Sequence, residues 1–159
     1  MASTYTPIAT ATGNGSSATI TFSSIPSTYT DLILVQTGAS STSSQVIEVR
    51  FNNDSGSNYS RTYILGNGTG ASSGRDSGVT SILAGLVEAN TNTIMQIQNY
   101  SNTTTYKTCL VRNNVINTFT AAVVGLWRST AAINRLDIFV GTGNWPTTST
   151  FTLYGIKAA

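Results

Sequence analysis

Six carboxylates, one thiol and not a single imidazole make up the acid, base and nucleophile chemistry available to this chain. Without histidine there is no Ser-His-Asp or Cys-His arrangement, no histidine-built zinc or iron site and no imidazole to move a proton. The carboxylates are Asp31, Glu48, Asp54, Asp76, Glu88 and Asp137. A glycoside hydrolase would need two of them facing each other across a bond, one as acid and one as nucleophile or base. Nothing in their spacing singles out such a pair. Glu48 and Asp137 instead alternate with Arg50 and Arg135, which on an extended chain puts each carboxylate on the same face as a guanidinium, so the spacing predicts solvated surface ion pairs. Cys109 has no partner for an intrachain disulfide and no histidine to activate it; alternating with Lys107 and Val111, it reads as a small buried apolar residue.

Ligand-binding patterns are equally sparse. Gly66 to Gly78 (GNGTGASSGRDSG) is rich in glycine, but it lacks the Gly-Lys-Ser/Thr ending and the strand-loop-helix setting of a phosphate loop. It reads as a long mobile loop, an insertion or contact loop. Asn52 to Asn58 (NNDSGSN) alternates oxygen donors at Asn52 and Asp54, yet the twelfth position, where a calcium loop closes with Glu, is Tyr63. A polar turn is the better reading. Tyr5, Tyr29, Tyr59, Tyr63, Tyr100, Tyr106, Trp127 and Trp145 supply the aromatic faces a sugar platform would use, although most are expected in the core. Trp145 stands apart, in the loop Gly141 to Ser149 beside Pro146, as a lid or partner-contact candidate. No cofactor, metal or catalytic residue is indicated.

The elements that must carry these residues are strands. Ile133 to Val140 and Thr150 to Lys157 both alternate, with turn residues Gly141, Gly143, Asn144 and Pro146 between them, so the two runs return as neighbours in one sheet or across a sandwich. Ala18 to Phe22 and Gln45 to Asn52 alternate in the same way. Asp31 to Gly38 is apolar on both faces from Leu32 to Val35, as a central strand covered on both sides would be. Thr93 to Tyr100 and Thr105 to Arg112 flank the polar tetrad Ser101 to Thr104 as a hairpin, and Tyr59 to Leu65 and Thr118 to Trp127 add further strands. Val79 to Glu88 has helical spacing at Ile82, Leu83, Leu86 and Val87, but Gly85 and its neighbours favour a strand. The fold class is therefore all-β: a single antiparallel β-sandwich of jelly-roll type with about nine or ten strands. Residues 1–12, interrupted by Pro7 and carrying Tyr5 and Ile8, read as an N-terminal arm or edge strand; residues 13–159 form the sandwich domain.

Composition bounds the partners. The chain of 159 residues is 40% hydrophobic, enough for one core without staples, and only 9% charged, which leaves its surface to Ser, Thr, Asn and Gly. A net charge of +2 from singly scattered basic residues does not suit a counterion-driven nucleic-acid binder. No apolar run is long enough to span a membrane and no signal peptide is read at the N-terminus, so synthesis in the cytoplasm and neither a membrane nor a nucleic-acid partner are expected.

Five blocks carry a family resemblance: FSSIPSTYTDL (Phe22 to Leu32), RFNNDSGSNYS (Arg50 to Ser60), NYSNTTTYKT (Asn99 to Thr108), GLWRSTAAI (Gly125 to Ile133) and STFTLYGIK (Ser149 to Lys157). Together they make nearly the whole chain resemble small structural proteins of tailed bacteriophages, especially those of cyanobacteria and other aquatic bacteria. The resemblance implies a β-sandwich on the virion exterior, on the outer head surface or the tail, without catalytic residues. It implies a non-enzymatic capsid decoration (cement) protein, a homotrimer bridging major capsid protein subunits or other virion proteins. The alternative is a tail-fibre or head-fibre module binding host glycans. Tyr5, Ile8 and Trp145 are the candidate partner contacts, the first two by adding a strand to a neighbour's sheet edge.

Overall fold

The computed structural model describes residues 4–38, 45–87, 91–115 and 118–157. The Ser/Thr-rich link 40–44 and Glu88 lie outside the described residues. Twelve strands follow one another: β1 (Tyr5–Thr12), β2 (Thr19–Phe22), β3 (Asp31–Gly38), β4 (Gln45–Phe51), β5 (Tyr59–Gly66), β6 (Ala71–Val79), β7 (Ile82–Val87), β8 (Thr91–Ile97), β9 (Lys107–Val115), β10 (Phe119–Trp127), β11 (Leu136–Val140) and β12 (Thr150–Ile156). All pairings are antiparallel, in an eight-stranded sheet ordered β1-β12-β3-β8-β9-β10-β5-β6 and a four-stranded sheet ordered β2-β11-β4-β7. The two alternating C-terminal runs, β11 and β12, thus lie in different sheets and face each other across the sandwich.

The topology is a jelly roll with two excursions. Without β5–β6 and β9–β10, the remaining eight strands form the sheets β1-β12-β3-β8 and β2-β11-β4-β7, the interlocked arrangement of a double Greek key. Each excursion is a hairpin, and both join the wide sheet beyond β8, which doubles its width. The additional strand relative to the sequence reading is β6. The stretch expected to be a long loop forms a nine-residue strand, with the turn confined to 67–70. Its Ser/Gly composition carries no apolar alternation because β6 is an edge strand, mostly exposed on both faces and held through its backbone to β5. Gly74 makes room there: the Tyr63 ring crosses it so closely that a Cβ would lie 2.3 Å from Tyr63 Oη.

Burial follows the period of two. In β9, Lys107, Cys109, Val111, Asn113 and Val115 point inward and the intervening residues outward; β10 and β12 do the same. Between the sheets, Leu32, Leu34, Val49, Phe51, Met95, Ile97, Val111, Leu136, Phe151 and Leu153 are buried. Each such large side chain contributes roughly 1.5–3 kcal/mol relative to exposure. At one end of the sandwich Phe51, Tyr59 and Trp127 pack together, Tyr59 and Trp127 stacked at 6.2 Å. The Tyr59 hydroxyl accepts from Phe51 N and donates to Asp54 O, and burial raises its pKa to about 12. A polar latch joins the sheets: the buried Asn113 amide of β9 receives Leu86 N–H and donates to Leu86 O on β7 and to Thr93 Oγ1 on β8.

Candidate docking interface

The described carboxylates are engaged within the fold. Asp137 is buried on β11, where its oxygens accept from Arg135 and from Thr21 Oγ1. Burial alone would push its carboxyl up; the Arg135 and Thr21 hydrogen bonds outweigh that and hold it below the ordinary range. The predicted Arg135–Asp137 pair therefore forms, with the guanidinium side chain 40% exposed as expected of a surface pair but the carboxylate buried. Glu48 does not pair with Arg50. Its Oε1 accepts from Ser81 Oγ and lies 3.9 Å from Arg61, which also contacts Asp76 at 2.7 Å, whereas Arg50 reaches Thr80 O and stacks on Phe139. These partners are distant in sequence, so local spacing could not reveal them.

In the 52–58 turn, Asp54 accepts from Gly56 N, Asn58 Nδ2 and Trp127 Nε1, which overcome the upward push of burial and lower its pKa. The Asn52 side chain accepts from Asn134 N and Arg135 N and donates to Ala132 O. The loop is a clasp whose oxygens already have donors. No cluster of three or more metal-ligating residues exists among the described residues. Cys109 is buried and its thiol is pushed up to about 12 by desolvation. Lys107 is buried as well, its ammonium donating to Thr105 O and Thr130 O, with burial pulling its pKa down.

The three candidate contact residues part company. Trp145 is completely buried and packs edge-on against Phe151 at 4.8 Å. Its loop is bound to the 13–17 turn by Gly15 N to Trp145 O and Trp145 N to Ser17 O, which turns the indole into the core. Trp145 is thus a core residue rather than a lid, and it offers no surface to a partner or a sugar. Ile8 is partly buried and packs against the core. Tyr5 is 53% exposed, with its ring edge-on to Tyr154, and lies on β1, which already pairs with β12 of its own sheet.

What sequence reading missed is the outer face of the wide sheet. Residues of β10 alternate between the core (Ala121, Val123) and the outside (Ala122, Val124), and both sets are apolar. The register aligns Val124 with Leu110 on β9 and Thr62 on β5, and Ala122 with Arg112 on β9 and Ile64 on β5. Ile64 is 62% exposed, Val124 55% and Leu110 43%, on adjacent strands. The ladder continues from Arg112 to Ile94 on β8 and Val35 on β3, both half-buried. Facing inward under β5, a cleft of about 250 Å³ lies between Tyr63, Leu65, Leu83, Leu86 and Phe119, with the Arg61–Asp76 pair at its side. The signal for the outer face was present in the LILV and AAVVGLW runs, which are apolar at both parities.

Fold and surface together define a jelly-roll β-sandwich with one sheet widened into an exposed, partly apolar platform. No protein-family model matches the chain, and no curated protein is detectably similar to it in sequence.

Proposed function

We propose that this chain is a non-enzymatic structural protein of a tailed-bacteriophage virion: a capsid decoration protein that sits as a trimer on the outer head surface and strengthens the shell by bridging major capsid subunits. Such binding stabilises the assembled state because it favours that state over its dissociated parts. The observation that carries the reading is the platform, a wide antiparallel sheet whose outer face exposes Ile64, Val124 and Leu110 side by side with no layer of the described residues above them. Monomeric soluble proteins rarely present contiguous apolar surface of this kind unless another molecule covers it. The resemblance of the five sequence blocks supplies the setting. The described carboxylates support a non-catalytic role, since each is engaged with a guanidinium or a hydrogen-bond donor of its own fold.

The rival reading, a fibre module that binds host glycans, leaned on Trp145, and that indole is in the core. The large aromatics left exposed are Tyr5 and Tyr106, at β1 and just before β9, with three strands between those two in the sheet. Cryo-electron microscopy of purified virions tests the proposal. Density for the sandwich at repeated positions on the head is expected. Density on tail fibres, with glycan binding by the isolated protein, would replace this reading with its rival.

A further inference from the structure

Resting on that reading, we infer that the outer face of β9, β10 and β5 docks on a protein surface that is apolar at its centre and carries carboxylates at its rim. The apolar part follows from Ile64, Val124, Leu110 and Ala122, which the register sets in two adjoining rows. The acidic part follows from the arginines around them. Arg112 lies beside Ala122 on β9, and Arg75 lies across Thr62 on β6, so the two guanidiniums flank the apolar rows from opposite sides. The chain's other arginines are tied down: Arg50 to Thr80 O, Arg61 to Asp76, Arg128 to Ser57 O and Tyr59 O, and Arg135 to Asp137. Of the arginines, all of them among the described residues, Arg75 and Arg112 are the two whose guanidiniums make no hydrogen bond or ion pair.

No carboxylate accompanies them on these strands; Asp31, on the same face farther along the sheet, sits at the start of β3 and accepts from Asn99 N. The outward residues of β8, β9, β10, β5 and β6 include Arg75 and Arg112 but neither Asp nor Glu, since Asp76 pairs with Arg61 on the inner side. Covering the patch with an uncharged surface would strip water from two guanidiniums and return nothing, whereas rim carboxylates would recover that cost and steer the approach. A second copy of this chain does not fit. Its same face would bring arginine to arginine, and its described carboxylates are already committed: Asp31 to Asn99 N, Glu48 to Ser81, Asp54 to Trp127, Asp76 to Arg61 and Asp137 to Arg135. Nucleic acid fits poorly too, because two arginines around an aliphatic centre neutralise few phosphates.

Hydroxyl-radical footprinting of the full chain, free and on purified virions, tests the placement. Ile64, Leu110 and Val124 are expected to lose most of their labelling when bound. Rebinding to virions depleted of the protein tests the chemistry. Arg75→Glu with Arg112→Glu should weaken binding about tenfold or more and flatten its salt dependence, and Val124→Glu should weaken it at least as much. These positions are exposed, so the thermal melts should match that of the wild type. Virions that carry the protein with these residues still labelled would overturn the proposal and leave the virion reading standing; virions that lack the protein would end both. Charge reversal without effect beside a damaging Val124→Glu would show a partner lacking the acidic rim, against the proposal. Self-association of the free chain abolished by Val124→Glu, or tight binding of a thymidine oligonucleotide lost on charge reversal, would also overturn it, in favour of a second copy or a nucleic acid.

Discussion

Replacing Asn113 with Ala removes a side chain that hydrogen-bonds the free edge of β7 to the wide sheet. The amide makes three hydrogen bonds, with Leu86 N at 3.1 Å, Leu86 O at 3.0 Å and Thr93 Oγ1 at 2.8 Å. At about 1 kcal/mol each, with a further cost for any backbone group left dry, the loss is roughly 3–4 kcal/mol. That is a large part of the 5–15 kcal/mol by which domains are typically stable. In urea, with a slope of about 2 kcal/mol per molar, the midpoint should fall by about 1.5–2 M with little change in slope. Hydrogen exchange at the Leu86 amide should accelerate beyond the change in global stability, because that N–H loses its acceptor. Asn113→Asp gives a second handle. It keeps the acceptor for Leu86 N–H but sets a carboxylate against Leu86 O, so at neutral pH it should be at least as damaging as Ala. Its deficit relative to Ala should shrink as pH falls and the carboxyl regains a proton. A midpoint shift below about 0.5 M, or an unchanged Leu86 exchange rate, would refute the claim that this latch holds β7.

Other expectations are simpler. The lowered carboxyls of Asp54 and Asp137 contribute stability that is fully present above the ordinary pKa of 3.8 and is lost as pH falls through their depressed folded values, so melting temperature should drop on acidification. Asp137→Asn should reduce that slope, as melts across the acid range will show. Cys109, buried with its thiol pushed to about 12, should not react with a disulfide reagent in the native state and should react at the rate of global opening. Gly74→Val should force Tyr63 aside and cost about 1–2 kcal/mol, measurably less in a Tyr63→Leu background, since a double-mutant cycle isolates contacts of this kind.

Strands whose two faces meet different surroundings could be read from the sequence. The alternation in β9, β10 and β12 announces which residues enter the core, and the polar tetrad between β8 and β9 announces their hairpin. Strand β6 could not be read, because an exposed edge strand needs only backbone partners and Ala71 to Gly78 contains no apolar residue larger than alanine. Trp145 misled for the opposite reason. Its glycine- and proline-rich surroundings look like a surface loop, and only the backbone bonds to Gly15 and Ser17 show that the loop folds inward. In β3, Ile33 and Val35 correctly signalled a strand with two apolar faces, but the sandwich covers just one of them, and that discrepancy points to the docking face. The ion pairs of Arg61 depend on which strands become neighbours, information that no window of sequence contains.

The pairing of β1 with β12 joins the two extremes of the described chain, Tyr5 opposite Ile156. A ribbon of that kind carries the largest loop-closure entropy in the molecule and should zip last, after the hairpins β5–β6 and β9–β10 have formed from local contacts. For a time each newly made chain therefore presents the bare margin of β12 and an unattached β1. Where many copies are synthesised together, a neighbour's first strand can settle into that gap, so the order of closure decides whether subunits finish separately or interlaced.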